Sequence, residues 1–373
     1  MRRTRISASS SYVLAAAVLS GCGTIIAGMI VPDVASAQAW RRPAAPPAYT
    51  TTAGTLSAVT ATSAGNAWAV GAGSDNTALI VHWNGRAWTR TTGPALRGAA
   101  ILGDVAASSA SNVWAVGAIG NRTLILHFNG SRWSRVPSPS PSGLAGLTSV
   151  TVTGSGAAWA VGVYYPQSVP SGLILHWAGG KWRQQSLPAP GDPALDGATL
   201  LTGVSARSAR RAWAVGFGDP GFSTTFAQWQ GSHWRVAASP DIDGGGLSAV
   251  AMAPRGQAWA VGRAGSAPLL MRYSGSSWRR VHSPAVGKGE AVLTSVTVLR
   301  DGTAWAVGSA GERALTLRWN GRAWRSVPAP SFSVAGSSGD LLSGVAAYPG
   351  GAWAVGYTDG GDGFILRWNG STW

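Results

Sequence analysis

Apolar residues in this chain come in short alternating runs separated by Gly, Asn, Ser and Pro, and the same four runs return in the same order along its whole body. One round reads Leu147-Thr148-Ser149-Val150-Thr151-Val152, then Ala158-Trp159-Ala160-Val161-Gly162, then Leu173-Ile174-Leu175-His176-Trp177, and last a run that opens on Trp182. Runs of four to seven residues rich in Val, Ile, Thr and Trp between turn formers are strands. So many Gly and Pro breaks leave no room for paired helices. The Trp-Ala-Val-Gly core opens at Trp68, Trp114, Trp159, Trp213, Trp259, Trp305 and Trp353, in steps of 46, 45, 54, 46, 46 and 48 residues. A fixed period of that size marks a solenoid, propeller or array. Four antiparallel strands per round and seven rounds predict an all-β fold, a seven-bladed β-propeller of four-stranded antiparallel blades.

Tryptophan carries the repeat. Of the 20 in the chain, seven lie in the second strand, five end the third (Trp83, Trp177, Trp229, Trp319, Trp368), with Phe128 and Tyr273 in the other two blades, and seven open the fourth. The remaining one, Trp40, begins Trp40-Arg41-Arg42-Pro43, which looks like one more fourth strand. Residues 40–43 are therefore expected to pair within the seventh blade, so that the N-terminal strand closes the ring and leaves no free edge. Between third and fourth strands, Asn-Gly pairs such as Asn320-Gly321 are expected to supply the positive backbone angles of a tight hairpin.

Composition then separates a leader from the body. Residues 1–39 start with Arg2, Arg3 and Arg5 and carry no further charge until Asp33, with small residues suited to cleavage at Ala35-Ser36-Ala37 and Ala37-Gln38-Ala39. Three readings stay open: a signal peptide cleaved near residue 39, lipidation of Cys22 in Leu19-Ser20-Gly21-Cys22, or an uncleaved anchor. Each places residues 40–373, a single propeller, in an extracellular or cell-surface location. Cys22 is the only cysteine, so the body has neither disulfide nor thiolate chemistry. The formal charge of +15 favours anionic partners and says nothing about the fold.

The Trp-Ala-Val-Gly, Leu-Ile-Leu-His-Trp and Trp-x-x-Val-Pro-x-Pro pattern resembles the Trp-rich repeats of secreted actinobacterial-type propellers, broadly similar to kelch and sialidase-type repeats. The resemblance covers residues 40–373. It implies a propeller and no particular activity. The Ser-x-Asp-x-Gly-x-x-Trp box of sialidases and the Gly-His and Trp-Asp signature of WD blades are both missing.

Candidate chemistry follows the loops. Turns joining first to second and third to fourth strands barely vary, whereas the loops after the second and fourth strands vary greatly, and in a propeller those two sets share one face. Variable loops on a rigid scaffold are where binding sits. By this assignment eleven of the thirteen acids after the leader lie on that face with five basic residues, leaving −6, while 21 basic residues and two acids leave +19 elsewhere. Within the face, Tyr164, Tyr165, Asp192, Asp196, Phe217, Asp219 and Phe222 put rings beside carboxylates, a combination suited to sugars. Asp241, Asp243, Asp359 and Asp362 join them, though neither pair has the further oxygens of a Ca²⁺ loop. His82, His127 and His176 share one third-strand position with Gln228, Arg272, Arg318 and Arg367, read as a solvated strand face rather than a metal site. No cofactor and no metal is called for.

Taken together, the sequence predicts an exported, monomeric, non-catalytic binding module whose ligand is a cell-wall or extracellular glycan, or a protein. Its alternatives are a propeller hydrolase or lyase using carboxylates at the ring mouth, and a structural protein of the cell envelope. Nucleic acid is not expected as a partner, and a membrane is expected to be met only through the leader.

Overall fold

In the computed structural model, residues 49–51, 54–166, 169–187, 199–218, 223–238, 240, 242, 244–287, 289–332 and 339–373 are described. They form seven separate four-stranded antiparallel sheets, with one short 3-10 turn at Pro254–Gly256. Blades one to six span residues 54–90, 100–135, 145–185, 199–236, 245–281 and 291–326. Blade three illustrates them: its strands are Ala145–Val152, Ala158–Tyr164, Ser171–Ala178 and Lys181–Gln185, counted from the channel outward. Blade seven takes three strands from residues 340–368 and its outer one from Tyr49–Thr51, which pairs antiparallel with Gly363–Trp368 in the register Tyr49 to Ile365. Trp373 fills the ring position that opens a fourth strand, edge-to-face with Trp305 (5.0 Å, 74°) and tilted against Trp368 (5.8 Å, 59°). Trp40 and residues 40–43 lie outside the described residues.

The Trp-Ala-Val-Gly motif has a steric and an energetic cause. The first strand of every blade carries a β-bulge opposite the second, in blade three between Leu147 and Ser149. This brings the first-strand backbone so close that a Cβ on Gly162 would overlap the Gly146 carbonyl oxygen, and the other six motif glycines are placed in the same way. The motif tryptophan serves the seam between blades. Trp68 of blade one meets Phe128 and Trp133 of blade two at centroid distances of 4.8 and 5.3 Å, the latter edge-to-face at 85°. The same three-ring cluster recurs at all seven seams, including Trp353 with Trp83 and Trp88, where the last blade meets the first. Edge-to-face pairs contribute about 0.5–1.5 kcal/mol beyond their buried area. Each of the seven apolar clusters accordingly draws residues from two neighbouring blades.

Around the channel the seams are joined by hydroxyls. The bulge residue Thr148 donates to Val161 O in its own blade (3.2 Å) and to Leu201 O in the next (2.8 Å). Thr202 and Thr294 repeat this, and Ser343 donates to Leu56 O at 2.6 Å, linking blade seven to blade one.

One expectation is corrected here and one is extended. The Asn of the Asn-Gly turns does not take a positive φ; only the glycine does, as at Gly85 (φ 93°) and Gly321 (φ 95°). Asn84 works through its side chain, whose Oδ1 accepts from the N–H groups of Arg86 and Ala87 across a four-residue loop. The His/Gln/Arg position is partly solvated, as expected, with Arg318 and Arg367 exposed, but in the His and Arg blades it also has a packing role that the sequence did not suggest. His176 stacks on Trp159 at 3.7 Å and 7°, and Arg367 lies 5.2 Å from the Trp353 ring and 5.7 Å from Trp83 of the next blade. In the three His and three Arg blades this position sets a flat or cationic group over an indole.

Candidate functional site

Hydrogen bonds confirm that the two variable loop sets share a face. Ala100, which leads into blade two, donates to Asn76 O in the loop after the second strand of blade one (2.9 Å), and Ala145 donates to Asn121 O in the same way (3.0 Å). Loops on this face run from two to thirteen residues, while turns on the opposite face span two to five.

Apart from Asp75 in blade one, its described acids gather around blades six and seven. Gly311 N–H donates to Glu290 O (2.7 Å), Asp340 N–H to Glu312 O (3.3 Å) and Asp359 N–H to Gly339 O (3.1 Å), so these loops form one continuous arc. Glu290, Glu312 and Asp359 are exposed along it. Asp362 closes the turn by accepting from Thr358 N–H on its carbonyl (3.0 Å). Asp340, in contrast, is buried, and its carboxylate accepts from Ser331 Oγ (2.9 Å) and Phe332 N–H (2.7 Å), anchoring the connection into blade seven.

The aromatic residues divide. Tyr164 ends the second strand of blade three and packs against the apolar cluster shared with blade two. Tyr165 donates its N–H to Leu144 O (2.9 Å), and burial pushes its phenol above the ordinary value. Phe217 lies beside Gly246 of blade five, where an added Cβ would meet its ring at 3.8 Å. Tyr164 and Phe217 thus serve different seams. Asp192, Asp196, Asp219, Phe222, Asp241 and Asp243 lie outside the described residues.

Two features were not anticipated from the sequence. Between blades one and two an open cavity of about 430 Å³ is lined by Thr77, Arg90, Thr92, Pro94, Leu96 and Ala100. At its edge Arg90 Nη2 donates to Thr77 Oγ1 (3.3 Å), and hydrogen bonds from the Thr77 hydroxyl and N–H hold Asp75 below the usual carboxylate range. The second feature is Asp104, on the first strand of blade two. Its Oδ2 accepts from Ser149 Oγ (2.9 Å) and Val150 N–H (2.8 Å) of blade three, and its Oδ1 from Val105 N–H (2.8 Å). Burial raises its pKa to about 6, against the opposing pull of those three donors. Ser149 and Ser295 occupy the equivalent position and accept from Val204 and Val345 of their next blades, both at 3.2 Å. Asp104 is therefore an acidic version of a structural link.

Among the described residues no three His, Cys, Asp or Glu gather as a metal ligand set. His82 and His127 bond Asn66 and Asn112, both at 2.7 Å, and burial lowers the pKa of both, as of His176.

No protein family profile and no curated protein matches this chain. Solved structures do match its fold. YCF48 bound to D1 peptide is 15% identical with a TM-score of 0.54, covering 86% of this chain and 94% of that one. The WD40 propeller domain of Doa1 is 11% identical with a TM-score of 0.57, over 86% and 95%. Virginiamycin B lyase from Staphylococcus aureus is 13% identical with a TM-score of 0.58, over 84% and 94%. At such identities the likeness is one of fold alone: the chain is a seven-bladed β-propeller.

Proposed function

We propose that this protein is an exported binding module that holds a protein ligand on its variable-loop face, through the acidic arc of Glu290, Glu312 and Asp359. One observation carries the reading: in a ring whose blades repeat closely, divergence in length is confined to one face, and among the described residues that face also carries the exposed acids Asp75, Glu290, Glu312 and Asp359, against Asp301 on the other. A rigid ring with divergent loops on one side suits recognition, since the scaffold fixes loop positions at no added ordering cost. A basic, extended segment fits best, because carboxylates accept charge-assisted bonds from Lys or Arg. YCF48, which shares the propeller fold, is seen bound to a D1 peptide, and that is in keeping with a protein ligand. A sugar platform is less favoured, since Tyr164 and Phe217 are engaged in different seams. Catalysis is less favoured because Asp104, the carboxylate facing the channel, is occupied by three structural donors.

The test is selection of phage-displayed peptides against the purified protein, followed by titration of the winners and a parallel glycan array. Basic peptides should emerge whose affinity falls at least tenfold with Glu312→Lys and is unchanged by Arg210→Gln on the opposite face. Binders indifferent to Glu312→Lys, or glycan binding with no peptide binding, would refute the proposal.

A further inference from the structure

The face opposite the variable loops has a charge pattern that ligand binding above does not use. Arg207, Arg210 and Arg211 lie at the first-to-second turn of blade four, Arg255 at that of blade five and Arg300 at that of blade six, and all five are exposed. None makes an ion pair among the described residues. The acid of this face, Asp301, spends Oδ1 on the Thr303 N–H (2.8 Å). Arg211 reaches across the seam: a Cβ on Gly256 would lie 3.8 Å from its Nη1, which brings its guanidinium beside the turn that carries Arg255. Arg255 itself is held at φ 61°, ψ 25°, a left-handed conformation that non-glycine residues seldom adopt. Arg86, Arg132, Lys181 and Arg322 extend the cations to the third-to-fourth turns of blades one, two, three and six, all exposed.

Shape selects among anionic partners. The turns on this face never exceed five residues, so no long loop rises among the cations, which are spread over six blades. A single polymer strand could engage only an arc of it, whereas a planar array of phosphates engages the whole. Val169 is the exposed large hydrophobic among the described residues, and it belongs to the other face, so nothing here inserts into acyl chains. We propose that this basic face is a peripheral docking surface for an anionic lipid bilayer, held by headgroup phosphates alone. Docked in this way, the protein would present its variable loops away from the membrane. The inference does not depend on what those loops bind.

Flotation with phosphatidylcholine vesicles, with and without phosphatidylglycerol, tests it. The full chain is used, so that any contribution of the leader is common to every arm. Binding should require phosphatidylglycerol and weaken at least tenfold from low to high salt, as the exposed charges are screened. The triple variant Arg207→Gln, Arg210→Gln, Arg211→Gln should bind at least tenfold more weakly. The control Arg90→Gln, Arg135→Gln, Arg325→Gln removes equal charge from outer strands and should bind within about threefold of the parent, because the roughly fivefold contribution of a cation at a membrane surface fades within a Debye length of it. Thermal melts check that both variants are folded. Equal losses in the two variants, no dependence on phosphatidylglycerol, or full binding to soluble polyphosphate that vesicles fail to displace would overturn the proposal.

Discussion

Replacing Asp104 by Asn should make the propeller more stable at neutral pH and no more stable in acid. The ordinary value of 3.8 is raised to about 6 in the folded chain, chiefly by burial. The folded protein thus keeps a proton that the unfolded chain releases between about pH 4 and 6. Stability from this group is complete below pH ~4 and is lost as pH rises through about 6. A gap of about two units at roughly 1.4 kcal/mol each sets a ceiling near 3 kcal/mol, and the residue's partial exposure to the channel makes it a ceiling. With about 2.1 cal/mol/K of unfolding entropy per residue over residues 49–373, that is a rise of up to ~4 °C in Tm. The amide oxygen of Asn can still accept from Val150 N–H and Ser149 Oγ, so the link between blades survives in the variant. Guanidinium unfolding followed by tryptophan fluorescence at pH 3.5, 5 and 7 is the assay. The parent and Asp104→Asn should coincide in acid and separate progressively above pH 4. Curves that run parallel across the whole range would show that the carboxylate is solvated and that the argument from burial is wrong.

Two further substitutions probe the ring of bulge hydroxyls by urea unfolding at neutral pH. Thr294→Val removes the donor to Leu342 O (2.6 Å) and Val307 O (3.0 Å) and should cost about 1–2 kcal/mol; a change within a few tenths would mean that channel water takes its place. Gly103→Ser should do the reverse. Gly103 is the bulge residue of blade two, and a Cβ there would lie 3.2 Å from Leu147 O, so a serine hydroxyl can bond that carbonyl and contribute about 0.5–1.5 kcal/mol, whereas a loss of stability would show that the seam is too tight for a side chain.

Most of the architecture could be read from spacing, because seven copies of one unit average away the uncertainty of any single strand. Trp159, for example, was placed in a second strand by its neighbours alone. The partners of that ring lie 70 and 75 residues further on, at Trp229 and Trp234, and strand periodicity contains no information about which blade a ring faces. The third-strand position is legible only in part for the same reason: His, Gln and Arg at one place signal solvent contact, which exposed Arg367 has, but not that His176 and Arg367 also cover indoles. The bulge leaves a clearer sign in the sequence: Leu56-Ser57, Leu147-Thr148, Leu201-Thr202, Leu247-Ser248, Leu293-Thr294 and Leu342-Ser343 interrupt the alternation with a small hydroxyl at one place in six blades. On the variable face the residues differ from blade to blade, so repetition gave no help where function is expected.

That difference between faces has a physical origin in where the blades are joined. The hydroxyl links surround the channel, and the three-ring clusters sit beside the short turns, since Trp83 and Trp88 flank one such turn and Trp68 follows another. A substitution there leaves a buried carbonyl or a cavity, and costs of several kcal/mol keep the residues uniform. On the opposite face neighbouring blades are joined by backbone hydrogen bonds such as Ala145 to Asn121 and Asp340 to Glu312, which any side chain permits. Loops of two or thirteen residues can therefore be accommodated without loosening the ring. The same division leaves exposed arginines free to accumulate on the short turns, where only the backbone of each turn is constrained. Ring stability and loop recognition thus occupy opposite ends of every blade, and a change in the long loops is expected to leave the ring nearly intact.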